Sequence, residues 1–224
     1  GFTDLNIMLS TRPEKYVGSE ENWEKATQAL KNSLQHQGLP YGVDAGGGAF
    51  YGPKIDVKVK DSLGRLWQCS TVQLDFNLPE RFNVTYRGKD SKDHQAVIIH
   101  RALMGSLERF FGILVEHYGG AFPMWLAPVQ VKILSINEDV STYALEVAKT
   151  LRQDCFRVEI NTGKETISAK IRDATLEKVP VLVIVGAKEQ QAKTVSLRSR
   201  DGKNLGVVHL NDLPILLRKL SQNC

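Results

Sequence analysis

Two groups of residues have types and spacings that suit chemistry better than packing. The first lies in His100-Arg101-Ala102-Leu103-Met104-Gly105-Ser106-Leu107-Glu108-Arg109-Phe110-Phe111-Gly112. Read as a helix, this run puts Leu103, Leu107, Phe110 and Leu114 on one apolar stripe that packs, because steps of three and four residues return to one side of the turn. The opposite side carries Gly105, Glu108, Arg109, Gly112 and Glu116. A glycine inside a helix costs roughly 1 kcal/mol against alanine, so two on one face imply that something approaches the backbone. Bare backbone at Gly105 would then lie one turn from the Arg109 guanidinium, which can fork onto a phosphate or stack on a base. The β-rich run Ala96-Val97-Ile98-Ile99 delivers His100 to a strand–helix junction, where it is either a satisfied core residue or a ligand-binding one.

The second group lies between Trp67 and Phe76. Gln68, Thr71, Gln73 and Asp75 interrupt a run otherwise built from Trp67, Cys69, Val72, Leu74 and Phe76. Buried polar groups need partners, so this is a sheet edge wetted by water or a concave sheet on which a ligand lies. Alternation places Thr71, Gln73 and Asp75 on one face. Gln68 falls on the other unless a bulge intervenes.

Holding these residues requires an antiparallel sheet. Ile55-Asp56-Val57-Lys58-Val59-Lys60 alternates apolar and charged residues, Asp61-Ser62-Leu63-Gly64-Arg65 turns, and residues 66–76 return as a second strand; the first strand of this hairpin has one wet face. Upstream, residues 5–9 read as a strand, and Ser19-Glu20-Glu21-Asn22 supplies a helix cap before Trp23, Ala26, Leu30 and Leu34 at helical spacing. The cluster Gly46-Gly47-Gly48 reads in isolation as a flexible loop. Residues 78–96 form a polar connection with a hairpin tip at 86–94 and an exposed His94.

Beyond Phe122-Pro123-Met124-Trp125-Leu126-Ala127-Pro128 the pattern changes. Strands at 129–136, 156–160 and 181–185 alternate with helices at 141–154 and 166–178, the signature of an α/β layer with a largely parallel sheet. A hairpin over 194–210 and a helix over 213–220 close it. Residues 1–122 and 130–224 are therefore expected to be separate domains joined by a connector at 123–129.

The chain has 224 residues and a formal charge of +4, with 15 basic against 11 acidic residues after position 129 and 14 of each before it. A basic surplus confined to the second domain suits a polyanion or a solvated face. Cys69, Cys155 and Cys224 form no disulfide framework or Cys-x-x-Cys clip, which points to a reducing compartment. No apolar run reaches the ~20 residues of a membrane helix, and the first residues lack the pattern of a signal peptide. They read as a strand already under way with no initiator methionine, so a longer chain is expected.

Together, Ala49-Phe50-Tyr51-Gly52-Pro53-Lys54-Ile55-Asp56, Trp67 to Phe76, His100-Arg101-Ala102, Gly105-Ser106-Leu107-Glu108-Arg109 and Trp125-Leu126-Ala127-Pro128 resemble the threonyl-tRNA synthetases, class II aminoacyl-tRNA synthetases, over nearly the whole chain. The resemblance implies an α+β fold: the C-terminal half of a class II antiparallel catalytic sheet, followed by an α/β anticodon-binding domain. It implies threonine activation by ATP with Mg2+, transfer to tRNA(Thr), homodimerisation in the full-length enzyme, and cytoplasmic residence without membrane attachment, an organelle matrix being the variant. By this resemblance Arg109 and Gly105 attend the ATP, and Gln68 and Thr71 match positions around its ribose. Tyr51, Lys54 and Gln73 match positions near threonine and its reacting carboxylate, with Lys54 and Arg109 as the catalytic cations. His100 matches one ligand of a Zn2+ whose other ligands lie upstream of Gly1, as do the first dimer motif and a second ATP-binding arginine. Glu189 and Arg198 match anticodon-reading positions, whereas Lys164 and Lys178 stand where some relatives have asparagine and arginine.

Two other readings stay open. A non-catalytic tRNA-binding paralogue would keep the fold but has no need of Tyr51, Lys54, Gln68, Thr71, His100 and Arg109 together. A sister class II enzyme for proline or histidine would share the tail, and His100 speaks for threonine.

Overall fold

In the computed structural model, which describes residues 2–222, the chain divides into two compact units, Gly1–His117 and Tyr118–Cys224. The first contains β1 (Leu5–Ser10), α1 (Glu20–His36), β2 (Gly42–Asp44), β3 (Lys54–Lys60), β4 (Leu66–Asp75), α2 (Asn77–Arg81), β5 (Thr85–Arg87), β6 (Asp93–Gln95), β7 (Ile98–Ala102) and α3 (Leu107–Tyr118). A five-stranded sheet runs in the order β2-β1-β3-β4-β7 and is antiparallel except where β1 meets β2. β5 and β6 form a separate small hairpin, as their turn-rich sequence predicts.

Ser19 caps α1, its hydroxyl accepting the Asn22 N–H at 3.2 Å, and Glu20 and Glu21 complement the positive end of the helix. The buried side of α1 then covers one face of the sheet. Leu30 and Leu34 pack with Ile7, Leu9 and Ile55, while Trp23 and Ala26 pack with Phe76. That leaves the opposite face, which carries the polar alternates of β3, β4 and β7. The expected wet face of β3 is corrected here: Asp56 is only 3% exposed, because neighbouring polar side chains cover it. The glycine cluster is also held in place, with Gly48 N–H donating to Thr11 O at 2.7 Å and Gly47 N–H to Asp44 O at 3.2 Å.

A second correction concerns residues 100–106. They are not helical, because β7 pairs with β4 as far as Ala102 opposite Thr71, and the ladder bonds override helical periodicity. Gly105 then adopts φ +65°, a left-handed geometry that suits glycine and interrupts the chain before α3. α3 starts at Leu107, where Ser106 Oγ accepts the Arg109 N–H at 3.3 Å. The predicted stripe does not pack as one: Ile113 is buried, while Leu103 and Leu107 are exposed.

The second unit contains β8 (Val131–Ser135), a 3-10 turn (Glu138–Val140), α4 (Ser141–Gln153), β9 (Val158–Asn161), α5 (Ile167–Leu176), β10 (Val181–Val185), α6 (Ala187–Ala192), β11 (Thr194–Ser199), β12 (Asn204–His209) and α7 (Leu213–Gln222). Its sheet order is β12-β11-β10-β8-β9, with β8, β9 and β10 parallel and β11 and β12 added as an antiparallel hairpin. Alternate residues of the central strands serve two cores. Val131, Ile133, Val181 and Val183 join α4 and α7 on one face, while Leu134 and Leu182 join Ala174 of α5 on the other. Met124 belongs to the first of these cores, and Arg157 holds the carbonyls of Trp125 and Ala127. Cys69 is buried and Cys155 exposed, both as free thiols; Cys224 lies outside the described residues. Among the described residues no helix is long and apolar enough to cross a membrane.

Candidate functional site

The sheet face turned away from α1 gathers most of the residues singled out by sequence. Register does this: Ser10 lies opposite Lys54, Lys54 opposite Gln73, Gln73 opposite His100, and Asp56 opposite Thr71. Directly opposed residues share a face. At one end of the row the Tyr51 hydroxyl donates to Gln73 Oε1 at 3.1 Å, which leaves the Gln73 NH2 as a donor. The Tyr51 and His100 rings meet edge to face with centroids 6.2 Å apart. Asp75, 1% exposed, accepts the Asn77 and Leu78 N–H groups with one oxygen and contacts His100 Nε2 at 3.0 Å with the other.

At the other end stands Asp56. Its Oδ2 accepts Lys54 Nζ at 2.5 Å and the Ser10 hydroxyl at 3.1 Å, while its Oδ1 accepts Gln68 Nε2 at 2.6 Å and the Thr71 hydroxyl at 2.9 Å. Gln68 Nε2 also donates to Thr71 Oγ1 at 2.7 Å. Gln68 reaches this group because the β3–β4 register slips: Val57 opposes Ser70, Lys58 opposes Gln68, and Cys69 is the extra residue. The bulge resolves the conflict of faces posed by the sequence.

Arg109 approaches the same strand from α3. Its guanidinium lies 5.2 Å from the centroid of Trp67, and the Arg65 guanidinium lies 5.8 Å from that ring. The indole N–H donates to Asp61 at 2.9 Å, and Asp61 also accepts Arg65 Nε and the N–H groups of Leu63 and Arg65. The indole bond is the main reason the Asp61 carboxyl titrates well below the usual carboxylate range. Arg109 is therefore stacked on a ring that is itself fixed. Gly105 faces the bulge, where a Cβ would lie 3.2 Å from the Cys69 carbonyl oxygen, so a side chain there would press on β4 as well as strain the backbone angle. Burial pushes the Cys69 thiol pKa up, with Arg109 opposing in part, and makes Cys69 a poor nucleophile.

The residues present fit one ligand of a metal site and no more. His100 has a carboxylate on Nε2, the arrangement that orients a ligating imidazole and leaves Nδ1 available. Among the described residues no three His, Cys, Asp or Glu side chains gather to complete a metal site.

In the second unit, Glu189 Oε2 accepts the Gly186 N–H at 3.0 Å and closes the start of α6, while its Oε1 accepts the Ser196 hydroxyl at 2.9 Å. Ser196 and Arg198 share one side of β11, so Glu189 and Arg198 are brought to the same face. Arg198 has no hydrogen-bonded or ionic partner among the described residues. Lys178 donates instead to Gly119 O, and Lys164 lies 3.8 Å from Glu138 in solvent.

Sequence reasoning missed Asp56, Ser10, Trp67 and Lys170. The signal for Asp56 was its place two residues from Lys54 on a strand that must pair with β4. Lys170 carried no comparable signal: it is 1% exposed, and its ammonium donates to the Ser135 carbonyl at 2.8 Å and lies 3.4 Å from the Ser135 hydroxyl.

Residues 3–118 match the tRNA synthetase class II core domain (G, H, P, S and T), and residues 130–220 match the anticodon binding domain. The chain is 58% identical over 213 residues to the threonine–tRNA ligase of Magnetococcus marinus, covering 95% of this chain and 33% of that protein. It is 52% identical over 211 residues to the threonine–tRNA ligase of Aquifex aeolicus, covering 94% and 33%. In three dimensions it resembles the RNA binding domain of threonyl-tRNA synthetase from Cryptosporidium parvum with a TM-score of 0.90 and 39% identity, covering 97% of this chain and 55% of that one. The chain thus spans about a third of the length of the curated relatives it matches.

Proposed function

For a chain that belongs to the class II tRNA synthetases of the G, H, P, S and T group, we propose the function of a threonine–tRNA ligase component: half of the site that activates threonine with ATP, joined to an anticodon-reading domain. The observation that carries this reading is the assembly of Tyr51, Lys54, Gln68, Thr71, Gln73 and His100 on one sheet face, with Arg109 stacked beside it. A tRNA-binding paralogue has no use for that assembly.

In the proposed reaction a carboxylate oxygen of threonine attacks the α-phosphate of ATP in line, and pyrophosphate leaves with Mg2+ as counterion. Gln73 and Tyr51 orient the amino acid, Gln68 and Thr71 hold the nucleoside, and Lys54 and Arg109 oppose charge on carboxylate and phosphates. His100, held by Asp75, would supply one ligand of a zinc ion, the others lying outside this chain. When bound, such a zinc would supply Lewis-acid affinity for the threonine hydroxyl and so discriminate against valine, which an apolar pocket does poorly. Glu189 and Arg198 contact anticodon bases. The enzyme acts as a homodimer in the cytoplasm, and residues 123–129 link its two domains.

Threonine-dependent exchange of pyrophosphate into ATP tests this in the full-length protein that carries the chain. Exchange with threonine and none with valine is expected, and the 224-residue chain alone should show none. Robust exchange by the chain alone, or exchange by the full protein with proline in place of threonine, would refute the assignment.

A further inference from the structure

Lys54 is not free to move, because the buried carboxylate of Asp56 holds its ammonium at 2.5 Å. The same carboxylate sets the polarity of its other neighbours. A carboxylate only accepts, so the Gln68 amide must turn its NH2 inward, and the two N–H bonds go to Asp56 Oδ1 and Thr71 Oγ1. The Thr71 hydroxyl proton also points to Asp56. What remains outward is the Gln68 carbonyl oxygen, an acceptor that suits a ribose hydroxyl or an exocyclic amine. We propose that Asp56 is the positioning residue of the site, with two separable outputs: Oδ2 places Lys54 for the developing charge, and Oδ1 fixes Gln68 as an acceptor toward the nucleoside. This rests on the synthetase reading above for its kinetic consequences and on the hydrogen-bond geometry alone for its structural ones.

The two oxygens allow the outputs to be separated by substitution. Asp56→Asn keeps an acceptor toward Gln68 and Thr71 but turns an NH2 on Lys54 and Ser10. In the full-length protein it should lower kcat for threonine-dependent exchange about 10- to 100-fold, the scale of a displaced catalytic group, while KM for ATP stays within about twofold. Asp56→Ala should raise KM for ATP as well, since the Gln68 amide is then free to turn. In a Lys54→Met background Asp56→Asn should have no further effect on kcat, whereas with Lys54 present Asp56→Glu, which retains the carboxylate, should keep most of the wild-type kcat.

Equal losses from Asp56→Asn in both backgrounds, or a normal kcat in the single variant, would overturn the proposal. Breaking a buried pair can unfold a protein; if Asp56→Asn does so, Lys54→Met/Asp56→Asn should refold, and failure of that double variant would assign Asp56 a general structural role instead. If the wild type catalyses no exchange, the synthetase reading fails by itself. The Asp56–Lys54 contact is then judged by 1H–15N spectra of lysine ammonium groups in the 224-residue chain. A protected Lys54 signal that vanishes in Asp56→Asn supports it, and an unchanged signal refutes it.

Discussion

The two units put polar chemistry in opposite places. In the second, both faces of the sheet are closed by helices, and the groups proposed to read a ligand sit on α6 and on the added hairpin. In the first, only one face is covered by a helix, and the other buries Asp56, Gln73, Asp75 and Ser10 among hydrogen-bond partners. The central strands of the second unit are consequently near-continuous apolar runs, such as Val181-Leu182-Val183-Ile184-Val185. Those of the first alternate. A sheet with one face reserved for chemistry relies for its order on side-chain networks where the other relies on packing.

If that contrast is right, damage to one unit should leave the other's task intact. Arg109→Ala should reduce threonine-dependent exchange about 10²- to 10³-fold, the usual cost of removing a charge-stabilising donor, with little change in melting. Arg198→Ala should leave exchange unchanged and weaken tRNA binding by about 1–3 kcal/mol, the range of a lost base-reading contact; a matching loss of exchange would break the comparison. Leu182→Ala, at a fully buried position, should cost the second unit about 2–5 kcal/mol by leaving a cavity. Exchange kinetics well below its unfolding temperature should stay normal. The smallest effects are those of single titrations. Asp61 has its folded pKa lowered, so its stabilisation is present above the ordinary carboxylate value of 3.8 and is lost as pH falls below it. Tyr143, buried and near Glu146 and Glu189, has its pKa pushed up to about 12 from 10.0, so its stabilisation is present below pH 10 and disappears as pH rises toward 12. Thermal unfolding across pH should thus weaken the first unit on the acid side and the second on the alkaline side. Asp61→Asn and Tyr143→Phe should each flatten their own limb.

Legibility in the sequence follows the same division. The second unit was readable element by element because its strands are apolar and its helices periodic; the short 3-10 turn and α6, six residues long, escaped. In the first, the hairpin, α1 and its Ser19 cap were readable from local signals. The segment 100–106 was not, since both helix and strand account for its apolar spacing and only pairing with β4 decides between them. The site was legible where residues have unusual types, as at Arg109 and Gln73. It was illegible at Asp56, because a charge in an alternating strand reads as solvated until the opposing strand is in place.

The extra residue at Cys69 shifts the parity of β4. From Ser70 onward β4 keeps step with β3, and before it every side chain is displaced by one count, which brings Gln68 to Asp56. A change of letter at position 69 preserves that count. Deleting the position would also leave Gln68 on the Asp56 face, because Gln68, Ser70 and Thr71 would then alternate without a bulge, but the carbonyl against which Gly105 lies would be gone. The bulge therefore lets two residues three apart in sequence, Gln68 and Thr71, serve one carboxylate, and it creates the backbone irregularity on which Gly105 rests.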